Sequence, residues 1–150
     1  MLSPSVRFLN IILAALLAGT SFGIWMILNG SNLSPAAFIE QQQNIISSLN
    51  ATMTTLVISA TIITILSAFI HKQNKPVFIS LILAAICFIA CILISRFGNQ
   101  AINNSIMELD PKAISITWPL LRDRWLSFHI LRTIAELIAL SLIAWTNVRS

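Results

Sequence analysis

Four apolar stretches are the feature that most restricts how this chain can fold. They cover residues 8–28, 52–70, 77–94 and 126–145. Crossing the hydrocarbon core of a bilayer takes about 20 apolar residues in an α-helix. Because that core offers no water to an exposed backbone, a spanning segment must be helical or belong to a closed barrel. The sequence therefore predicts an all-α integral membrane protein, a four-helix bundle that forms one domain over residues 1–150.

The composition excludes several other classes of protein. The chain is 57% hydrophobic and 9% charged, whereas a soluble domain carries about 25% charged residues. Its net charge of +4 comes from nine scattered basic residues, so no basic run favours nucleic-acid binding. The first apolar stretch continues to Leu28, which is long for the apolar part of a signal peptide. We therefore expect a first transmembrane helix and a lipid bilayer as the main partner.

The flanks of the spans predict where helices begin and end. Ser34 precedes Pro35, the typical cap and first residue of a helix, so the second helix is expected to extend above the bilayer over residues 37–49. The third span is expected to close at Arg96 and Gly98. A connection over residues 97–121 should then lead to a helix restart near residues 117–119. A turn is expected at residues 29–32.

Small residues recur at four-residue spacing in the first span. Ala15, Gly19 and Gly23 follow this pattern, which in membrane helices allows a neighbouring backbone to approach closely. We therefore expect this face of the first helix to pack against another helix.

Basic residues flank the spans on both sides of the membrane. One side holds Arg7, Lys72, Lys75 and Arg149, and the other holds Arg96, Lys112, Arg122 and Arg124. The positive-inside rule alone therefore gives almost a tie. If the basic residues beside the fourth helix serve a site, they should be discounted. The expected location is then the bacterial inner membrane, with both termini in the cytoplasm.

The fourth span carries a polar stripe. At 100° per residue, the side chains of Arg122, Trp125, His129, Arg132 and Glu136 fall within an arc of about 80°. The opposite face is uniformly apolar and suits lipid; it consists of Leu126, Ile130, Leu131, Ile134, Leu137 and Ile138. Such segregation in a membrane helix indicates either a functional site or polar contacts that join helices.

The depth of the stripe makes it costly. Glu136 lies about 15 Å into the span, where a charged side chain costs about 2.5–3.5 kcal/mol. Arg132 precedes it by four residues, so the two can pair and offset part of that cost. The second span offers a matching polar stripe, which consists of Asn50, Thr54, Thr61, Thr64 and His71. However, threonines in membrane helices commonly bond their own backbone, and His71 lies among lysines at the membrane edge.

Metal-binding patterns are missing from the sequence. It contains no HExxH and no paired CxxC motif. Cys87 and Cys91 are four residues apart on one helix, a geometry that suits a disulfide poorly, so we expect two small buried thiols. The sequence thus predicts no metal site.

Two motifs resemble those of a known family. Asn99-Gln-Ala-Ile-Asn103 is similar to an N-x-P-I-N element after a third helix, with Ala101 in place of proline. Arg122, Trp125, His129, Arg132 and Thr133 are similar to an R-x-x-W-x-x-x-H-x-x-R-T element that opens a fourth helix. Both elements occur in the anthrone oxygenase-like family of small four-helix membrane proteins, which the chain also resembles in layout.

This resemblance implies an enzyme that oxidises a lipophilic polycyclic aromatic, such as an anthrone, with O₂ and no cofactor. In that reaction His129 would be the base, and Arg132 or Arg122 would stabilise the substrate anion. Trp125 would stack on the aromatic rings, and Asn103 would donate a hydrogen bond to the carbonyl oxygen. Glu136 would orient His129 or Arg132.

Two other functions remain open on the sequence alone. A non-enzymatic membrane protein of four helices could use the polar stripe to bind a lipophilic ligand or a membrane partner. A transporter is the third hypothesis, but 150 residues without broken helices leave little room for alternating access unless the chain forms a homo-oligomer.

Overall fold

The protein is an all-helical bundle in the computed structural model, which describes residues 2–29, 33–113, 116 and 118–148. The helices are α1 (Leu2–Asn29), α2 (Pro35–Ile70), α3 (Lys75–Ile94), α4 (Gln100–Met107) and α5 (Trp118–Val148). A π-helical turn, Ser95–Asn99, joins α3 to α4, so that Lys75–Met107 forms one long helix. The four long helices can each cross a membrane by length and composition, which confirms the predicted fold class.

The ends of the second helix follow the sequence prediction. Ser34 caps α2, since its Oγ accepts a hydrogen bond from the backbone N–H of Ala37 at 3.3 Å, and Pro35 follows in the first position. The helix has 36 residues, or about 54 Å at 1.5 Å per residue, against about 30 Å of hydrocarbon core. It is therefore longer than the hydrocarbon core, which leaves room for the extension predicted over residues 37–49.

The third helix corrects the prediction. It does not close at Arg96 and Gly98 but continues through the π-helical turn to Met107. The connection expected over residues 97–121 therefore contains α4. The reason is that Asn99 and Asn103 are buried against α5, so polar composition here marks an inward face rather than a loop.

The fourth of the long helices, α5, begins at Trp118, within the range expected for its restart. Some of the sequence predictions concern residues outside the described ranges. These residues are Gly30, Ser31 and Asn32 of the expected turn, Thr117, and Arg149 among the flanking basic residues.

The long helices form a ring in which each contacts two others. α1 packs on α2 and α5, and α3 packs on the same two helices. Nε of Arg7 donates to Oδ1 of Asn147 at 2.8 Å, which joins the start of α1 to the end of α5. Both ends of the described chain thus lie at one end of the bundle, called here the terminal end.

The small residues of α1 do not pack as predicted. Ala15 and Gly19 are exposed, and a Cβ added at Gly19 or Gly23 would meet no atom of the described chain within 4 Å. The residues that approach the neighbouring helices are instead Ala14 and Ala18, each fully buried. The inward face of α1 also carries small residues at four-residue spacing, but it is the face next to the predicted one.

Two apolar cores fill the ring, one toward each end. The core at the terminal end includes Leu17, Val57, Phe88 and Ile143. The core at the opposite end includes Ile24, Ile39, Ile106, Trp118 and Trp125. Between them lie polar side chains from α1, α2, α5 and the π-helical turn, which we call the polar layer: Ser21, Asn50, Ser95, Asn99, His129, Arg132, Thr133 and Glu136.

Candidate functional site

A cavity of about 160 Å³ lies within the polar layer. Its polar lining comes from Asn50, Thr54, Ser95, Arg96, Asn99, Gln100, Asn103, Arg132 and Glu136. Its remaining walls are Leu17, Met53, Val57, Ile58, Cys91 and Ile92. Each of the four long helices therefore contributes to the cavity. Some of the residues that line the cavity are buried, and others are exposed.

The cavity is open on one side of the bundle, between the second and third long helices. Asn50, Thr54 and Ile58 of α2 are exposed, and so is Arg96 of the π-helical turn. The opposite wall comes from α5 and consists of Glu136, which is 2% exposed, and the partly buried Arg132. This mouth lies at the side of the bundle, next to the exposed side chain of Ile58.

The π-helical turn forms part of the cavity wall. Such turns widen a helix locally and are frequent at functional sites. Gly98 allows the turn to lie against α5, because a Cβ there would be 2.7 Å from Cγ and Cδ1 of Phe128. The neighbouring Ser95 and Asn99 consequently line the cavity.

Trp125 joins this turn and α4 to the fourth membrane helix. Its indole Nε1 donates to Oδ1 of Asn103 at 2.6 Å, and its carbonyl accepts from Nδ2 of Asn99 at 3.2 Å. Because an indole N–H can only donate, the bond fixes the amide of Asn103 with its NH₂ group available as a donor. Trp125 itself lines a smaller cavity of about 40 Å³ that shares Asn103 and Arg132 with the main one.

His129 lies behind Trp125 and is fully buried. The two rings stack with centroids 4.8 Å apart and planes 7° from parallel. Nε2 of His129 is 3.0 Å from the carbonyl oxygen of Ser21, and a carbonyl can only accept, so this nitrogen carries the proton. Nδ1 has no hydrogen-bond partner among the described residues. His129 therefore joins α5 to α1 and does not line the cavity.

Arg132 and Glu136 both line the cavity. Nη1 of Arg132 donates to Oγ of Ser95 at 3.4 Å. Among the described residues, Nε of Arg132, Oε2 of Glu136 and Oδ1 of Asn99 are buried without a hydrogen-bond partner. The expected pairing of Arg132 with Glu136 is not made, since the described chain has no ion pair between them within 4.0 Å. Buried polar atoms without partners are uncommon in folded proteins and need a ligand, water or a functional reason.

Comparison with known sequences identifies the family of this chain. A sequence model of the anthrone oxygenase family matches residues 43–142. The chain belongs to the anthrone oxygenase family. The match covers the residues that line the cavity, apart from Leu17. Neither a curated protein nor a solved structure gave a significant match.

The structure separates the residues predicted for an anthrone oxygenase site into three groups. Arg132, Glu136 and Asn103 line the main cavity. Trp125 and His129 form the stacked pair behind it. Arg122 is on the outside of the bundle, where its Nη2 contacts Oδ1 of Asp123 at 2.8 Å and 41% of its side chain is exposed.

Sequence reasoning assigned no role to Asn99 or Ser95. Asn99 opens the first family motif, and that position was the available signal for its role. Ser95 gave no signal, because a lone serine in an apolar helix commonly bonds its own backbone. Within the described residues, no three His, Cys, Asp or Glu side chains are grouped closely enough to hold a metal ion. Cys87 and Cys91 are both free thiols, as predicted, but only Cys91 is buried, whereas Cys87 is partly exposed.

Proposed function

We propose that this member of the anthrone oxygenase family is a membrane-embedded oxygenase or oxidase. Its substrate would be a lipophilic polycyclic aromatic of the anthrone type, and O₂ would be the oxidant, with no added cofactor. One observation carries the proposal. The cavity in the polar layer combines apolar walls with buried donors and acceptors that have no partner among the described residues.

The size of the cavity is consistent with one ring of such a substrate. It measures about 160 Å³, and an apolar protein cavity of about 150 Å³ holds one benzene. The other rings would lie in the mouth between α2 and α3, beside Ile58 and Thr54. A polycyclic ring system dissolves in the bilayer, so it would arrive sideways through this mouth.

The polar lining supplies what the substrate anion requires. An anthrone carries a CH₂ group between two aromatic rings, and loss of its proton leaves a charge that is shared with the carbonyl oxygen. Arg132 would stabilise that charge, because its Nε is buried and has no partner in the described chain. The NH₂ group of Asn103 would donate to the same oxygen. The side chain of Arg122 is 41% exposed and paired with Asp123, so we assign this role to Arg132.

The overall reaction balances with O₂ alone. A base takes one proton from the CH₂ group, and the resulting anion passes one electron to O₂. The two radicals join through a new C–O bond, and the peroxide takes up a proton. Loss of the second C–H proton with cleavage of the O–O bond then gives a C=O group and water. The anthrone is oxidised to a quinone, and one O₂ is reduced per substrate.

The test is anthrone-dependent O₂ uptake and quinone formation by the purified protein in detergent. A protein-free blank is essential because anthrones autoxidise. Arg132→Gln should lower the rate by about 100-fold, which is typical when a donor to a developing oxyanion is removed. The matched control is Arg124→Gln, which changes an exposed arginine of the same helix and should keep the wild-type rate.

Each result bears on a different function. A wild-type rate above the blank that depends on Arg132 supports the oxygenase. A folded wild-type protein that binds the quinone but consumes no O₂ would instead favour the non-enzymatic binding of a lipophilic ligand. Equal rates for the two arginine variants would contradict the role of the cavity.

A further inference from the structure

We propose that Glu136 is the catalytic base of this site and that His129 is a positioning residue. This inference rests on the proposed function, because it assigns the proton transfers within that reaction. It reverses the roles that the family resemblance suggested, in which His129 takes the proton and Glu136 orients a neighbour.

Access to the cavity favours Glu136 over His129 as the base. Glu136 lines the cavity, whereas His129 does not. A general base must come within hydrogen-bond reach of the proton it removes. A ring in the cavity would lie beside the Glu136 carboxylate, whereas the His129 imidazole is not part of the cavity lining and has one face covered by Trp125.

Both groups have a buried atom without a hydrogen-bond partner among the described residues, Oε2 of Glu136 and Nδ1 of His129, but of the two residues only Glu136 lines the cavity. Arg132 lies on the same face but does not form an ion pair with Glu136 within 4.0 Å in the described chain. The carboxylate oxygen is therefore available to a substrate, and the nearby guanidinium is available to the anion that proton removal creates.

The contacts of His129 favour a structural role for its side chain. Its Nε2–H is committed to the carbonyl of Ser21, and one face of its ring is covered by Trp125. Its exposed fraction is 0%. These contacts fix the position of Trp125, and through it that of Asn103 and Asn99 in the cavity wall. Such a role requires a planar polar side chain that bridges α5 and α1, and it requires no proton transfer.

The proton balance closes on a single carboxylate. Glu136 accepts the first C–H proton, whose electron pair stays on the substrate. It returns that proton to the peroxide formed after O₂ is reduced. It then accepts the second C–H proton as the O–O bond breaks, and the departing hydroxide takes this proton to become water. Glu136 thus ends the cycle ionised, as it began.

The experiment isolates proton transfer from oxidation. Without O₂ and in D₂O, a base in the site exchanges the CH₂ hydrogens of anthrone for deuterium, and mass spectrometry measures the exchange above a protein-free blank. Glu136→Gln keeps the size of the side chain and should lower this rate by about 100-fold or more, the usual contribution of a positioned base. Glu40→Gln, at an exposed position of α2, is the matched control and should exchange like the wild type.

Two further variants keep the test decisive if Glu136→Gln does not fold. Glu136→Asp retains a carboxylate and should keep measurable exchange. His129→Gln can still donate to Ser21 and should also keep it, although its lower affinity for the quinone would report a displaced Trp125. Quinone binding is followed by quenching of tryptophan fluorescence.

The outcomes separate this inference from the proposed function. Exchange by the wild type and by folded His129→Gln, but not by Glu136→Gln, supports Glu136 as the base. Wild-type exchange in Glu136→Gln, or its loss in a folded His129→Gln that still binds the quinone, would overturn the inference and leave the oxygenase standing. Exchange that needs Glu136 but is followed by no O₂ uptake in air would support the base and overturn the oxygenase.

Discussion

Replacement of Gly98 by alanine tests whether the π-helical turn and α5 are as close as the structure has them. A Cβ at this position would lie 2.7 Å from Cγ and Cδ1 and 3.1 Å from Cδ2 of the Phe128 ring. Ordinary contacts between carbon atoms begin near 3.5 Å. Cγ is bonded to the Cβ of Phe128, so the ring cannot swing away without a change of rotamer or a shift of α5.

The expected cost follows from this overlap. Overpacking of a filled site by one methyl group costs about 1–3 kcal/mol. The change from glycine to alanine also adds a helix-propensity gain of up to about 1 kcal/mol, which would mask part of that cost. Gly19→Ala carries the same gain, and its new Cβ would meet no atom within 4 Å. The difference between the two variants therefore isolates the overlap.

The assay is reversible unfolding by sodium dodecyl sulfate in mixed micelles, followed by circular dichroism. Gly98→Ala should be less stable than Gly19→Ala by about 1–3 kcal/mol, while Gly19→Ala should match or exceed the wild type. Equal stabilities of the two variants would refute the close packing of the turn on Phe128. In that case the placement of Ser95 and Asn99 in the cavity wall would lose its support.

Two other substitutions test the cavity. Trp125→Phe removes the N–H that Asn103 accepts at 2.6 Å and should lower the free energy of unfolding by about 1–3 kcal/mol, the cost of a buried group left unpaired. The control is Trp25→Phe, since that indole N–H has no partner in the described chain, and equal losses would contradict the argument. Ile58→Trp narrows the mouth between α2 and α3 and should lower kcat/KM several-fold with no loss of stability. Ile62→Trp, one turn away on the same exposed face, should leave kcat/KM unchanged. Equal effects of the two variants on kcat/KM would exclude this route for the substrate.

The polar stripe of the fourth helix shows how far periodicity can predict a site. Its spacing predicted that Trp125, His129, Arg132 and Glu136 share the inward face, and all four are wholly or mainly buried. The same spacing included Arg122, which is exposed. Arg122 lies at one edge of the stripe, between the buried Trp118 and Trp125, and a helical wheel contains no information on how far the neighbouring helices cover that edge.

Contacts between helices were beyond the reach of the sequence. His129 meets the carbonyl of Ser21, 108 residues away along the chain, and Gly98 meets the ring of Phe128. The division of the polar residues into a cavity lining and a buried stacked pair depends on such contacts. This division changed the candidate base from His129 to Glu136.

The sequence by itself determined the four membrane helices. In a bilayer, an apolar run of about 20 residues has hardly any structure other than a helix that satisfies its backbone hydrogen bonds. It also determined the inward face of α5, because polar and apolar sides of that helix differ sharply. Only the tertiary structure decided which face of α1 packs inward, at Ala14 and Ala18 rather than Ala15 and Gly19. The physical reason is that lipid and the bundle core are equally apolar, so hydrophobicity alone cannot distinguish one apolar face from the other.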